Sequence, residues 1–166
     1  MHFYRDFDKL CLALRGAGAF LVVEDGKGGA NPMTIGWAQL GVTWGLPVMS
    51  VLVRPSRHTY HLLRSASCFT VCVPREGEMK KELAFCGSRS GRGSDKAKDC
   101  GLRLKPGSLP GASFVEGSAL VYECSLLHRA PLTPGALPQE LVSRYYPEGD
   151  WHDIFTGEVK LLRGAK

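Results

Sequence analysis

The alternation of apolar and polar positions divides the first half of the chain into short strand-like runs separated by turns. Ala19–Glu24 is the first such run, and residues 25–29 are typical of a hairpin connection to an antiparallel strand that begins near Pro32. Residues 33–42 mix β-branched, aromatic and small side chains, whereas residues 47–53 are almost wholly apolar, as a strand buried on both faces would be. This pattern predicts antiparallel β-structure.

The second half of the chain adds further strand-like runs and short helical segments. Strands are predicted at Cys68–Val73 and at residues 118–128 and 151–162. Apolar residues at helical spacing predict short helices at residues 6–15, 60–66, 77–86 and 139–146. About six strands with short helices between them favour a mainly β fold, a small closed or split β-barrel, over a sandwich or a doubly wound sheet.

The composition is that of an ordinary globular protein, with 166 residues, 44% hydrophobic and 22% charged. This length predicts a single domain over residues 1–166. No apolar run approaches the roughly 20 residues that span a bilayer. The N-terminus lacks a basic segment followed by an apolar one, so we expect a cytoplasmic protein without a membrane partner.

The net charge of +5 permits an anionic partner. Lysines and arginines are spread along the chain and no nucleic-acid motif is present, so a small anionic ligand explains the charge without a nucleic-acid partner. The cysteines form no CxxC pair and show no zinc-ligand spacing, which predicts neither a redox dithiol nor a metal site. Buried free thiols are expected at Cys11, Cys68, Cys72, Cys86, Cys100 and Cys124.

The turn after the apolar run at residues 47–53 carries several groups suited to phosphate. Pro55 biases Arg54 away from the helical region, and Ser56 is predicted to cap a helix that follows. The unpaired N–H groups of a helix start, together with Arg57, Thr59 and Arg54, would bind a phosphate. The alternative is that these basic side chains are simply solvated.

A second candidate anion site lies at residues 88–96, a polar, glycine-rich loop with two arginines and a lysine. The loop leads into a short helix for which Ser94 is the predicted cap. Here the alternative is a flexible surface loop without a ligand.

Taken in order, several motifs resemble the flavin reductase-like, FMN-binding split-barrel family, which includes flavoredoxins. They are NPMT at residues 31–34 with Trp37, GVTW at 41–44, VRPSRHTY at 53–60, FTV at 69–71, FCGSRSGR at 85–92 with DK at 95–96, and WHDIFTGEV at 151–159. One departure is visible: family members commonly have an aspartate directly after the serine-glycine-arginine triplet, whereas this chain has Gly93 and Ser94 before Asp95.

This resemblance implies a homodimer with one FMN per subunit near the dimer interface. It implies a flavin oxidoreductase that uses NADH or NADPH and transfers hydride between nicotinamide and flavin. The alternative is a flavoredoxin-like electron carrier with bound FMN and a protein redox partner.

The resemblance also assigns residues to the cofactor. The phosphate would be held by Arg54, Ser56, Arg57 and Thr59, with Ser90, Gly91 and Lys96 from the second loop. The isoalloxazine ring would be lined by Asn31, Met33, Thr34 and Trp37, whose hydrogen bonds would tune its potential.

His152 is the candidate catalytic residue, placed to touch the nicotinamide or substrate. Hydride transfer needs no strong general base, so the alternative is a rim histidine whose pKa near neutrality is incidental. Trp44 and Trp151 are candidates to stack near the flavin, or else to serve in the core or an interface.

Overall fold

The computed structural model describes residues 3–164, in which strands separated by short helices follow one another along the chain. The elements in chain order are α1 (Phe7–Arg15), β1 (Ala19–Glu24), β2 (Ala30–Ile35), β3 (Ala38–Thr43), β4 (Leu46–Val53), α2 (His58–Leu63), β5 (Cys68–Val73), α3 (Lys80–Ser88), α4 (Lys96–Asp99), β6 (Leu104–Pro106), β7 (Ser113–Val115), β8 (Leu120–Pro131), a 3₁₀ turn (Pro134–Ala136), α5 (Gln139–Tyr145) and β9 (Asp153–Gly164).

Seven of the strands form one antiparallel sheet in the order β2-β1-β5-β8-β9-β4-β3. Its edge strands, β2 and β3, do not pair with each other, so the barrel is split rather than closed. The mainly β, split-barrel fold class predicted from the sequence is confirmed. A separate hairpin of β6 and β7 covers part of the outside.

The main sheet has one strand more than the approximate count from the pattern, because residues 33–42 form parts of two strands. The break between β2 and β3 falls at Gly36 and Trp37. Strands β6 and β7 were not predicted, since each has only three residues and therefore shows no alternation.

The continuous apolar character of β1 and β5 follows from burial on both faces. Leu21 and Val71 point into the main core inside the split barrel. Phe20 and Cys72 point outward into a second apolar cluster beneath α3 and the β6–β7 hairpin. Two-sided burial removes the polar positions that a half-exposed strand would show.

Helix α2 begins at His58, and its N-cap position is Arg57 rather than the predicted Ser56. The Ser56 hydroxyl does not cap the helix because it donates to Asp150 Oδ2 at 2.6 Å. With only six residues, α2 also has a small macrodipole, so side chains matter more for any anion than the helix does.

Two other helix limits differ from the prediction. The cap of α4 is Asp95, whose Oδ1 accepts from the Lys98 N–H at 3.1 Å, whereas the Ser94 hydroxyl donates to the Ser90 carbonyl. Helix α3 ends at Ser88, two residues beyond the predicted end at residue 86.

No helix within residues 3–164 is long and apolar enough to cross a membrane. The single domain over residues 1–166 stays a prediction, and its first two and last two residues lie outside the described part of the chain.

Candidate functional site

Two adjoining cavities lie where β2, the end of β4, α2 and the loop between α3 and α4 meet. The first, which we call the β2 cavity, has a volume of about 220 Å³ and is lined by Met33, Thr34, Ile35, Gly36, Trp37, Leu52, Val53, Arg54, Arg57 and His152. The second, the loop cavity, has a volume of about 120 Å³ and is lined by Met33, Ser56, Arg57, His58, Thr59, Cys86, Ser88, Arg89, Ser90, Gly91 and Lys96. Met33 and Arg57 belong to both walls, so the two cavities are neighbours.

The predicted site residues therefore converge, with Asn31 just behind the wall rather than in it. A larger cavity, of about 580 Å³, lies between α1 and the start of α3 and contains none of them. The chemistry predicted from the sequence thus maps to the two smaller cavities.

Lys96 is the most informative residue of the loop cavity because it is a buried cation. Lys96 is only 3% exposed, and its Nζ donates to the Cys86 carbonyl at 3.3 Å. Burial lowers the Lys96 pKa below its ordinary value. Within residues 3–164 no carboxylate forms an ion pair with Lys96. A buried cation without a counter-charge is unfavourable, so an anion in this cavity would stabilise it.

Arg57 adds a second positive charge to the same wall. Its Nη1 donates to the Gly87 carbonyl at 3.3 Å, and the charge of Arg57 is among the causes that lower the Lys96 pKa. None of the described residues that line either cavity is Asp or Glu. The chain itself thus leaves these cations uncompensated, as a phosphate-binding site requires.

A hydrogen bond ties the two parts of the site together. Asn31 on β2 donates from Nδ2 to Thr59 Oγ1 on α2 at 2.8 Å, and both residues are buried. Gly91 packs so closely against Asn31 that a Cβ there would collide with Asn31 Oδ1. The glycine therefore lets the loop after α3 approach β2.

Arg54 and Ser56, both predicted phosphate donors, hold another part of the chain. Arg54 donates to the carbonyls of Asp150 and Tyr145, each at 2.8 Å. Ser56 donates its hydroxyl to the Asp150 carboxylate. These bonds hold the segment of residues 132–152, which contains α5, against the β4–α2 turn.

The β2 cavity combines an edge strand with an aromatic wall. Strand β2 lies at the edge of the sheet, so one side of its backbone has no strand partner. The Thr34 hydroxyl donates to the Leu83 carbonyl at 2.6 Å, which leaves only its oxygen lone pair for a ligand. The Trp37 ring lies 5.1 Å from that of Tyr145 and 4.8 Å from the His152 imidazole, measured between centroids.

His152 is 9% exposed, and its Nδ1 shares a hydrogen bond of 2.8 Å with the Tyr146 hydroxyl. Burial, with the Arg54 charge second, lowers the His152 pKa to about 4. The pKa of His152 therefore lies below neutrality, and its contact with a nicotinamide or substrate stays a prediction. His152 is neutral at pH 7, and its Nε2 is the nitrogen that remains to contact a bound molecule.

Neither of the other two candidate tryptophans lines the β2 cavity or the loop cavity. Trp44 lies at the turn between β3 and β4 with its ring 6.1 Å from His128, and it is 64% exposed. Trp151 stacks on Tyr146 with the ring centroids 4.2 Å apart, and so supports the residue that contacts His152.

Some wall residues were missed by the sequence analysis. Arg89 and His58 lie within the recognised motifs, so their neighbours were a sufficient signal to include them. Tyr146 gave no signal, because its contact with His152 depends on how residues 146–152 fold back.

All six cysteines are free, with Cys11 and Cys100 partly exposed and the others buried. In the described part of the chain, no group of three or more His, Cys, Asp or Glu side chains is placed to hold a metal ion.

Comparison with protein-family models identifies the family of the chain. Residues 15–165 match the family model described as the flavin reductase like domain, so the chain belongs to that family. Membership assigns it to flavin-related redox chemistry. A comparison with curated protein sequences gave no match.

Solved structures share the fold. An FMN-binding protein from Thermus thermophilus superposes with a TM-score of 0.69 at 25% identity, covering 89% of this chain and 71% of its own. A flavoredoxin from Methanosarcina acetivorans superposes with a TM-score of 0.69 at 25% identity, covering 89% of this chain and 68% of its own. Nitrilotriacetate monooxygenase component B from Bacillus cereus superposes with a TM-score of 0.71 at 15% identity, covering 98% of this chain and 77% of its own. At this identity the likeness shows the fold alone.

Proposed function

We propose that this chain binds FMN across the two cavities and acts as an NAD(P)H-dependent flavin oxidoreductase. The phosphate would occupy the loop cavity and the ring system the β2 cavity. The single observation that carries this proposal is the buried, uncompensated Lys96 beside Arg57 in a wall without carboxylates.

The loop cavity fits a phosphate monoester. Lys96 and Arg57 supply charge-assisted donors, and Ser90 on the loop supplies a hydroxyl. Thr59 accepts a hydrogen bond from Asn31, so its main part is to hold the wall. Arg54 and Ser56 act indirectly, because they fix the segment of residues 132–152 beside the β2 cavity.

The β2 cavity fits the flat, partly polar ring. The outer backbone groups of β2 offer donors and acceptors to its polar edge, while Met33 and Trp37 supply apolar contact. When bound, a flavin supplies a two-electron acceptor for a nicotinamide hydride. The chain contributes orientation, and the neutral His152, held by Tyr146, presents Nε2 to a bound nicotinamide without adding charge.

The likeness to a flavoredoxin supports a second candidate, an electron carrier that keeps its FMN and exchanges electrons with a protein partner. Both candidates use the same cofactor site. They differ in whether a nicotinamide nucleotide is a substrate.

Anaerobic stopped-flow mixing of the FMN-loaded protein with NADH and with NADPH separates the two candidates. Rapid loss of flavin absorbance near 450 nm, roughly the wavelength at which oxidised flavins absorb, followed by turnover on added free flavin, supports the oxidoreductase. No bleaching by either nucleotide would rule out the enzyme and leave the carrier.

We also propose that two copies of the chain form a homodimer. Val42 and Trp44, at the tip of the β3–β4 hairpin, are 65% and 64% exposed, and Leu127 on β8 is 44% exposed. An exposed apolar set of this kind is typical of an interface. The double variant Val42→Ser/Trp44→Ser should shift the mass measured by light scattering from dimer to monomer.

The matched control for the dimer test is Leu12→Ser, since Leu12 is 60% exposed and lies on α1, which packs against β1 and β5. The control should leave the dimer intact. A monomeric wild-type protein at micromolar concentration would contradict the homodimer.

A further inference from the structure

Two cysteine thiols meet beside the loop cavity. Cys86, on α3, lines the cavity, and Cys100 directly follows α4. Their sulfur atoms lie 3.9 Å apart, although 14 positions separate them in the chain. The segment between them carries Ser90, Gly91 and Lys96, which line the loop cavity.

We propose that Cys86 and Cys100 are an oxidisable pair whose disulfide fixes the anion loop, residues 87–99, in the form that lines the loop cavity. No redox dithiol was predicted from the sequence, because 14 positions separate these two cysteines. The fold brings these thiols together through the turn after α3 and the short helix α4.

The separation of the two sulfur atoms is short enough for a disulfide to form. A disulfide bond is about 2.05 Å long, so the sulfurs need to approach by less than 2 Å, roughly what small side-chain rotations provide. Lys96 Nζ already binds the Cys86 carbonyl at 3.3 Å, so the loop is in its cavity-lining form while the thiols are adjacent.

The two thiols differ in access, which sets the order of reaction. Cys86 is 1% exposed, and burial raises its pKa to about 12, whereas Cys100 is partly exposed. A small oxidant therefore reaches Cys100 first. The buried Cys86 is then the resolving thiol at hydrogen-bonding distance.

With hydrogen peroxide as the oxidant, the reaction balances in two steps. The Cys100 sulfur attacks peroxide, so that an S–O bond forms, the O–O bond breaks, and hydroxide leaves with the thiol proton as water. The Cys86 sulfur then attacks Cys100, the S–S bond forms, the S–O bond breaks, and the second hydroxide leaves with the Cys86 proton as water. The dithiol loses two electrons and one peroxide is reduced to two waters.

The test treats the 166-residue chain with one equivalent of hydrogen peroxide and maps the thiols by alkylation and mass spectrometry. We expect a linked Cys86–Cys100 peptide and a loss of about 2 Da that a dithiol reductant reverses. Cys100→Ser should abolish the link. Cys11→Ser, which removes the other partly exposed cysteine, should retain it. Alkylatable thiols at both positions after treatment, or a link to another cysteine, would overturn the proposal.

Amide hydrogen exchange tests whether the disulfide fixes the loop. Exchange of residues 87–99 should slow at least about threefold in the oxidised protein and stay unchanged in treated Cys100→Ser. Unchanged or faster exchange in the linked protein would overturn the fixing of the loop.

A last measurement rests on the proposed FMN site. Release of FMN should be at least about threefold slower after oxidation, because a fixed loop opens less often. Unchanged or faster release from the linked protein would contradict the effect on the cavity. A protein that binds no FMN would instead contradict the proposed function, while the peptide map and the exchange rates would still decide the disulfide.

Discussion

Asn31 Nδ2 donates to Thr59 Oγ1 at 2.8 Å, and this bond joins the edge strand that lines one cavity to the helix that lines the other. Asn31 is 7% exposed and Thr59 is 1% exposed, so water does not replace the bond if it is lost. The spatial relation between the proposed ring and phosphate positions therefore depends on this pair.

Thr59→Val keeps the shape of the side chain but leaves the Asn31 amide without its acceptor. We expect the free energy of unfolding, measured with urea, to fall by about 1 to 3 kcal/mol, the cost of a buried unsatisfied donor. Thr59→Ser retains the hydroxyl and should lose less. Equal losses in both variants would show that the methyl group, not the bond, stabilises this region.

Lys96→Met should weaken FMN binding without destabilising the folded protein. The variant removes a buried cation that has no carboxylate partner among residues 3–164, so the flavin-free protein should be as stable as wild type or more so. Affinity for FMN should fall by about 1.5 to 3 kcal/mol, the scale of a hydrogen bond from a charged donor. Isothermal titration and urea unfolding measure the two effects.

The control for Lys96→Met is Lys98→Met, an exposed lysine on the same short helix. The control should change neither property. A Lys96→Met protein that is strongly destabilised yet binds FMN normally would mean that the lysine serves the fold alone.

His152 should give the protein a characteristic loss of stability in acid. Its pKa is about 4 in the folded protein, against the ordinary value of 6.5 expected after unfolding. Between pH 6.5 and about 4, His152 is protonated in the unfolded chain but not in the folded protein. The free energy of unfolding therefore falls as the pH drops through this range. The total is up to about 3 kcal/mol.

His152→Gln should remove this share of the pH dependence, measured as the urea midpoint across that range. His58, whose pKa is also lowered by burial, accounts for part of the remaining slope. The exposed His61 provides the control His61→Gln, which should retain the part of the pH dependence that His152 contributes. An unchanged profile in His152→Gln would contradict a strongly depressed His152 pKa.

Arg54→Met should loosen the segment of residues 132–152. The variant loses the hydrogen bonds to the carbonyls of Tyr145 and Asp150, so amides of residues 139–150 should exchange at least about tenfold faster. Arg64→Met, which removes an exposed arginine just after α2, should leave that exchange unchanged. Unchanged exchange in Arg54→Met would show that other contacts hold the segment.

The sequence predicted those features that depend on local pattern. Strands β1 and β5 followed from apolar runs, whereas the convergence of Arg57 and Lys96 was implied by the family resemblance and not by local pattern. The local pattern does not indicate which residues far apart in the chain form hydrogen bonds with each other. Ser56 was interpreted as a helix cap because nothing near it predicts Asp150, 94 positions away, as the acceptor of its hydroxyl.

Burial of single polar residues was also beyond the sequence. A lysine in a glycine-rich polar loop is ordinarily exposed, yet Lys96 is 3% exposed because α4 packs near β2. The His152 pKa likewise depends on burial and on Arg54, two features that only the folded chain brings together.

The most direct test of the central claim compares FMN with riboflavin, which is the same ring without the phosphate. Fluorescence titration of the wild-type protein should show FMN binding at least about 100-fold more tightly, because Lys96 and Arg57 each add a charge-assisted contact to phosphate. In Lys96→Met and Arg57→Ala this ratio should shrink by at least about tenfold. Equal affinities of the wild-type protein for FMN and riboflavin, or no binding of either, would contradict the phosphate site on which this account of the chain depends.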